Sequence, residues 1–204
     1  MPELPEVETI KLVLSRKIVG LRIAKIQVLS PKSFLGNPNL AQGQKVLKIE
    51  RFAKYLSIDL EKISLLIHLK MTGQLILEDG KRFIGGHPTE DMMGKMPNPH
   101  TRVIFSFSDG SHLYFNDQRR FGWIKVTQGV ILNEVKDLGP EPLEKSFTWQ
   151  ILKQNLLKHK NMPVKVAIMD QKVVSGVGNI YSNEACFNAR LDPRKKVSQL
   201  IDSE

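Results

Sequence analysis

Pro2 and Glu3, directly behind Met1, are the residues with the most distinctive chemistry to offer. Removal of Met1 would leave Pro2 with a free secondary amine. A free α-amino group has a pKa of about 8, far below lysine, so much of it is unprotonated near neutral pH. Attack of that amine on a sugar C1′ would give an iminium ion. A secondary amine has no second proton to lose, so the adduct keeps its positive charge and serves as an electron sink for elimination. Glu3 would move protons at the ring oxygen or at the departing group. Taken alone, Met-Pro-Glu describes equally well the plain start of a helix.

Other polar groups stand at informative places. Lys54 sits where the chain enters the run KYLSIDL, a position typical of an exposed strand-edge lysine. His68, inside LLIHLKM, has the setting of a hydrogen-bonded core histidine. Arg119, Arg120 and Phe121 lie together in a turn between two apolar runs, and His100 follows a Met-rich stretch. Gly176 and Gly178 permit tight turns, and Asn179 then opens a helix whose free N–H groups suit a phosphate, with Lys160 upstream. The chain carries 30 Lys plus Arg against 21 Asp plus Glu, a net of +9, which favours a polyanionic partner. Its one cysteine, Cys186, lies in the apolar stretch NEACFNA and is expected to fill core. That count excludes a disulfide framework and a cysteine zinc site within the chain. No apolar run is long enough to span a bilayer, and MPELPEVE lacks the regions of a signal peptide. A cytosolic protein without membrane attachment is expected, and a monomer.

The elements that must position these groups follow from pattern. Residues 4–18 read as a helix, with Pro5 in its first turn, Glu6 and Glu8 near its positive end, and Val7, Ile10, Val13 and Leu14 on one face. Eight short runs follow: LRIAKIQVL, KVLKIERF, KYLSIDL, ISLLIHL, GQLILED, TRVIFSF, SHLYFN and GWIKVT. Their β-branched and aromatic content, punctuated by Asp79-Gly80 and Asp109-Gly110, predicts an antiparallel β-sandwich. Residues 85–100 carry no period and read as a mobile loop. LGPEPL (138–143) reads as part of a linker, after which FTWQILKQNLLKHK, PVKVAIMD and NIYSNEACFNA predict helices. The fold expected is α+β: a catalytic sandwich domain over 1–137, a linker over 138–145 and a helical domain over 146–204. A last helix starts at KKVSQLIDSE, where the chain stops, so truncation is expected.

MPELPEVETI resembles the N-terminus of bacterial formamidopyrimidine-DNA glycosylases. RFAKYL (51–56), IHLKMTGQL (67–75), DQRRFGW (117–123), LGPEPL (138–143) and VVSGVGNIYSNEA (173–185) resemble segments of the same family, in the same order. Each is weak alone; the ordered set is specific and covers nearly the whole chain. Glu3-Leu4-Pro5 points to the oxidised-purine branch rather than the sister endonucleases. The resemblance implies a base-excision enzyme that removes 8-oxoguanine and formamidopyrimidines from double-stranded DNA. Pro2 would be the Schiff-base nucleophile, Glu3 the acid, and Lys54 a proton donor in elimination. Met71, Arg119 and Phe121 would be the wedge that fills the hole left by a flipped base. His68, His100, Arg119, Lys160 and Asn179 would contact DNA, the last two in a helix–two-turn–helix element. The family continues further, with more of the helical domain, a loop over the flipped base, and a four-cysteine finger holding its single zinc. None of that lies in these 204 residues, so no cofactor is expected within the chain, and weak binding with poor base selectivity is expected. The alternative is a non-catalytic module that still grips damaged DNA.

Overall fold

The computed structural model describes residues 1–87, 89–90, 94–128 and 132–201, apart from the side chains of Leu132 and Asn133. The chain divides into two compact units, Met1–Ile131 and Leu132–Glu204. The first opens with helix α1 (Leu4–Lys17), followed by strands β1 (Ile23–Val28), β2 (Phe34–Leu35), β3 (Val46–Phe52), β4 (Tyr55–Leu60), β5 (Ser64–His68), β6 (Gly73–Glu78), β7 (Arg82–Gly86), β8 (Thr101–Phe107), β9 (His112–Asp117) and β10 (Trp123–Thr127). Two five-stranded sheets result, in the orders β1-β8-β9-β6-β7 and β2-β10-β5-β4-β3. All pairings are antiparallel except the short parallel one between β2 and β10.

Alternation along the strands builds one shared core. Leu75, Phe105 and Phe115 from the first sheet meet Leu56, Ile58, Leu65, Ile67 and Ile124 from the second. Each such side chain, once buried, contributes about 1.5–3 kcal/mol of transfer free energy. Helix α1 adds Val7, Ile10 and Leu14 to the same cluster. Leu4 is buried as well, while Val13 is only half-buried. Arg16 and Lys17 in the last turn suit the negative end of the helix dipole.

Strand β7 is not foreshadowed by the hydrophobic pattern, because Gly85 and Gly86 interrupt it. The reason is α1, which packs against β3 and β7. A Cβ on Gly85 would overlap Ile10 Cγ1, a fully buried group near the middle of the helix. Gly85→Ala is therefore expected to destabilise the protein by about 1–3 kcal/mol, the usual cost of overpacking. Urea unfolding checks this, and an unchanged midpoint would show that α1 tolerates displacement. Beyond β7, Met96 is buried with Ile76 and Tyr114, so the stretch expected to be a mobile loop is anchored there. Pro88 and residues 91–93 of that stretch lie outside the described residues.

The second unit carries α2 (Leu132–Val135), α3 (Trp149–Leu156), α4 (Val164–Met169) and α5 (Asn179–Asn188). Thr148 caps α3 by accepting from the Ile151 N–H at 3.4 Å. Leu156, Val164, Ala167, Val173, Val174, Cys186 and Val197 form its core. Burial pushes the Cys186 thiol pKa up, which suits a core filler rather than a nucleophile. In place of the helix expected from KKVSQLIDSE there is a single 3₁₀ turn at Val197–Gln199, and residues 202–204 of that stretch lie outside the described ones. Among the described residues no helix is long and apolar enough to cross a membrane.

Candidate active site

Pro2 and Glu3 are both buried at the mouth of α1. The Pro2 nitrogen is here in peptide linkage with Met1. The Glu6 carboxylate accepts from the Glu3 N–H at 2.8 Å, which fixes the backbone beside Pro2. Lys54 stands in the two-residue turn that joins β3 to β4, next to Ala53, whose φ of 52° lies in the left-handed region. A non-glycine residue held there stores strain that its surroundings must offset. Part of that support comes from Arg51, which donates to Ala53 O at 3.1 Å and to Glu8 Oε2 at 2.6 Å. The same guanidinium therefore ties α1 to the Lys54 turn; against burial, which raises the Glu8 pKa, hydrogen bonds from Lys11 and then Arg51 hold that carboxyl below its ordinary value.

Lys54 is not the exposed strand-edge lysine that its sequence position suggests; it is only 6% exposed. Burial lowers its pKa from the ordinary lysine value, while the negative charge of Glu3 pulls the other way. Glu3, itself 1% exposed, thus lies close enough for its charge to act on Lys54, and it directly follows Pro2 in the chain. Such a pair offers a carboxylate to take or give a proton and an ammonium that releases one more readily than a surface lysine.

His68 joins this cluster. It pairs with Tyr55 across β4 and β5, with the Tyr55 ring edge-on at 4.6 Å. Burial, then the positive charges of Lys70 and Lys54, lower its pKa to about 3. Its Nδ1 accepts the Lys70 N–H at 3.0 Å, so the neutral ring carries its proton on Nε2. The unfolded chain would bind a proton at His68 below its ordinary pKa of 6.5, and the folded chain does not until about 3. His68 therefore costs folding nothing above pH 6.5, and its penalty grows as the pH falls towards 3. Wild type should lose up to about 2 kcal/mol from this source between pH 7 and pH 5, and His68→Gln should lose less over that interval. Denaturation curves at the two pH values decide it; parallel losses would mean that His68 titrates normally.

A second cluster is formed by the turn after β5 and the turn after β9. Met71 is 42% exposed and Phe121 is 55% exposed, so neither belongs to the core. The Arg119 guanidinium lies over the Phe121 ring, 4.9 Å from its centroid. Lys70 and Arg120 both have left-handed φ, 52° and 59°. The Thr72 hydroxyl accepts from the Arg119 N–H at 3.0 Å, so the turn of Met71 lies beside the turn of Arg119 and Phe121. His100 is half-buried nearby in the fold: its carbonyl accepts from the Asp117 N–H at 2.9 Å. In the helical unit, Lys160 is exposed and its carbonyl accepts from the Ser198 N–H at 2.9 Å. Asn179 is exposed at the first position of α5, with Gly178 as N-cap. Gly176 uses its freedom at φ +87°, whereas Gly178 is extended.

Several supporting residues escape sequence reasoning. Asp117, Thr72, Arg51, Glu8 and Gln171 hold the turns that carry the more obvious groups. Gln171 closes the turn before α5, donating to Met169 O and Val177 O at 2.8 Å and accepting from the Gly176 N–H at 2.9 Å. Only Asp117 leaves a signal, since an aspartate opening a tight turn is the mark of an Asx-type cap. Among the described residues no group of three or more His, Cys, Asp or Glu side chains could hold a metal ion.

Comparison with known proteins places this geometry in context. Residues 1–124 match the model of the formamidopyrimidine-DNA glycosylase N-terminal domain, and residues 138–204 match that of the H2TH domain of the same enzymes. A formamidopyrimidine-DNA glycosylase of Pelotomaculum thermopropionicum is 38% identical over 214 residues, covering 100% of this chain and 72% of that protein. The Lactococcus lactis Fpg in complex with DNA containing an abasic site superposes with a TM-score of 0.84 at 28% identity, covering 98% of this chain and 72% of that one. The Lactococcus lactis protein in complex with FAPY-dG containing DNA gives the same TM-score and identity, covering 98% and 73%.

Proposed function

The chain belongs to the formamidopyrimidine-DNA glycosylase family, and we propose that it excises oxidised purines such as 8-oxoguanine and formamidopyrimidines through a Schiff base on Pro2. Membership makes it a DNA glycosylase of base-excision repair. The observation that supports the finer reading is the burial of both Glu3, next to Pro2 in the chain, and Lys54, whose ammonium feels the Glu3 charge.

Once Met1 is removed, the Pro2 nitrogen attacks C1′ of the damaged nucleotide. The C1′–N bond to the base breaks, and the base leaves with a proton that Glu3 helps to deliver. Opening of the sugar ring, with a proton supplied to the ring oxygen, gives the iminium on C1′. Its positive charge acidifies C2′; loss of that proton expels the 3′ phosphate in β-elimination, and loss of the C4′ proton from the conjugated iminium then expels the 5′ phosphate from C5′ in δ-elimination. Lys54, with its lowered pKa, serves as proton donor in elimination and as a contact to phosphate.

The rest of the reading concerns the duplex. Related proteins are seen with abasic and FAPY-dG containing DNA, and the surplus of +9 charges suits that partner. Lys160, the Asn179 helix start, His100 and His68 would contact the backbone. These contacts fix register without reading sequence. Met71, Arg119 and Phe121 would fill the gap left by the flipped nucleotide. The test is borohydride reduction of the protein mixed with DNA that contains an abasic site. A covalent adduct whose peptide maps to Pro2 is expected. Tight binding with no adduct would instead make the chain a damaged-DNA-binding module.

A further inference from the structure

Asp117 is completely buried at the end of β9, yet its carboxylate is engaged on every side. Oδ1 accepts from the Thr72 hydroxyl and from the Arg119 N–H at 3.1 Å, and Oδ2 accepts from the Gly122 N–H at 2.6 Å. The Arg119 N–H is shared with Thr72 Oγ1 at 3.0 Å. The Asp117 carbonyl also accepts from Nε of the buried Arg102 at 2.8 Å. A buried carboxylate is costly unless satisfied in this way. What it joins is specific: Thr72 follows Met71 on one turn, while Arg119 and Gly122 bracket Phe121 on the other. Both turns contain a non-glycine residue in the left-handed region, a conformation that persists only when neighbouring bonds impose it.

We propose that Asp117 and Thr72 are positioning residues that lock Met71, Arg119 and Phe121 into one preformed wedge. The inference rests on the reading of those three side chains as the group that fills an emptied base stack. Inserting a side chain into a duplex costs less when its conformation is already fixed, because less freedom is lost on binding. Without the Thr72–Asp117 bond the two turns would move independently, and the three side chains would have to be assembled during insertion. Single-stranded DNA carrying an abasic site has no duplex stack to enter, so its reaction depends little on the lock.

The experiment compares wild type, Thr72→Val and Thr72→Ser. Valine keeps the shape and removes the hydroxyl; serine restores it. Each protein is assayed for single-turnover excision from an 8-oxoguanine duplex and for borohydride trapping on a single-stranded abasic oligonucleotide, with melting temperature as a check on folding. Thr72→Val should slow duplex excision by about tenfold, the effect of losing one buried hydrogen bond. Its trapping on the single strand should change by no more than about twofold, and Thr72→Ser should behave as wild type. Equal losses on both substrates would show that the bond merely stabilises the fold and would overturn the lock. Full duplex activity in Thr72→Val would overturn it too. Wild type that neither excises nor traps would sink the underlying reading along with the inference, whereas an active wild type with an indifferent Thr72→Val sinks the inference alone.

Discussion

Pro2→Gly is expected to lower borohydride-trapped adduct on abasic DNA by about 10²–10⁴-fold, the loss typical of a positioned reacting group. Glycine at the N-terminus would still offer an amine, but a primary one. Its imine can lose the remaining N–H proton and become neutral, so the electron sink that drives elimination is weakened. Glycine also surrenders the ring that fixes the direction of the nitrogen. The residual activity should therefore be small but real. Blocking the amine altogether, by a sequence that retains Met1, should leave none. Pro2 is buried and Met1 half-buried, so removal of Met1 both frees the nitrogen and opens the space in front of it. Intact mass of the active preparation supplies the decisive control. Active protein that retains Met1 throughout would refute the proline mechanism outright.

The residues proposed to react stand out in the sequence because their chemistry is local. An N-terminal proline, an adjacent carboxylate and a lysine at a strand entry can be seen without coordinates, and α1 and most strands follow from period and turn residues. What the sequence does not reveal is how their surroundings bury and fix them. Nothing about Lys54 in its own segment says that it is buried and within reach of the Glu3 charge, some fifty residues earlier in the chain. Strand β7 is hidden because Gly85 answers to Ile10, far away in sequence, and Gly86 to the backbone of Gly73 and Gln74. Asp117 and Thr72 are 45 residues apart, and a hydrogen bond between two turns has no periodicity to reveal it. Arg51 looks like one more basic residue until its partners are known to be Glu8 on the helix and Ala53 in the turn. The sequence pattern thus carries the elements, while the long-range polar bonds that align the elements appear only in three dimensions.

Those bonds set up the second large effect, at Glu3. Glu3→Gln should slow excision of 8-oxoguanine by about 10²–10⁴-fold, because glutamine cannot exchange the proton that the departing base and ring oxygen require. Elimination at a preformed abasic site should fall too, though by less, since only some of its proton transfers involve Glu3. A second consequence distinguishes this pair from two independent residues. The Glu3 charge raises the pKa of Lys54 against the lowering effect of burial. Removing that charge must lower the Lys54 pKa further, so the ammonium is lost at a lower pH than in wild type. The alkaline limb of the lyase pH profile should therefore move to lower pH in Glu3→Gln. Lys54→Ala should chiefly weaken productive engagement with DNA, raising KM more than it lowers kcat. The combined variant should show far less than the sum of the two single losses, as expected for groups that act as a unit. Profiles of kcat/KM against pH for the three variants read all of this at once. An alkaline limb that stays in place in Glu3→Gln, with additive losses in the combined variant, would mean that Glu3 and Lys54 act separately and that their proximity has no catalytic use.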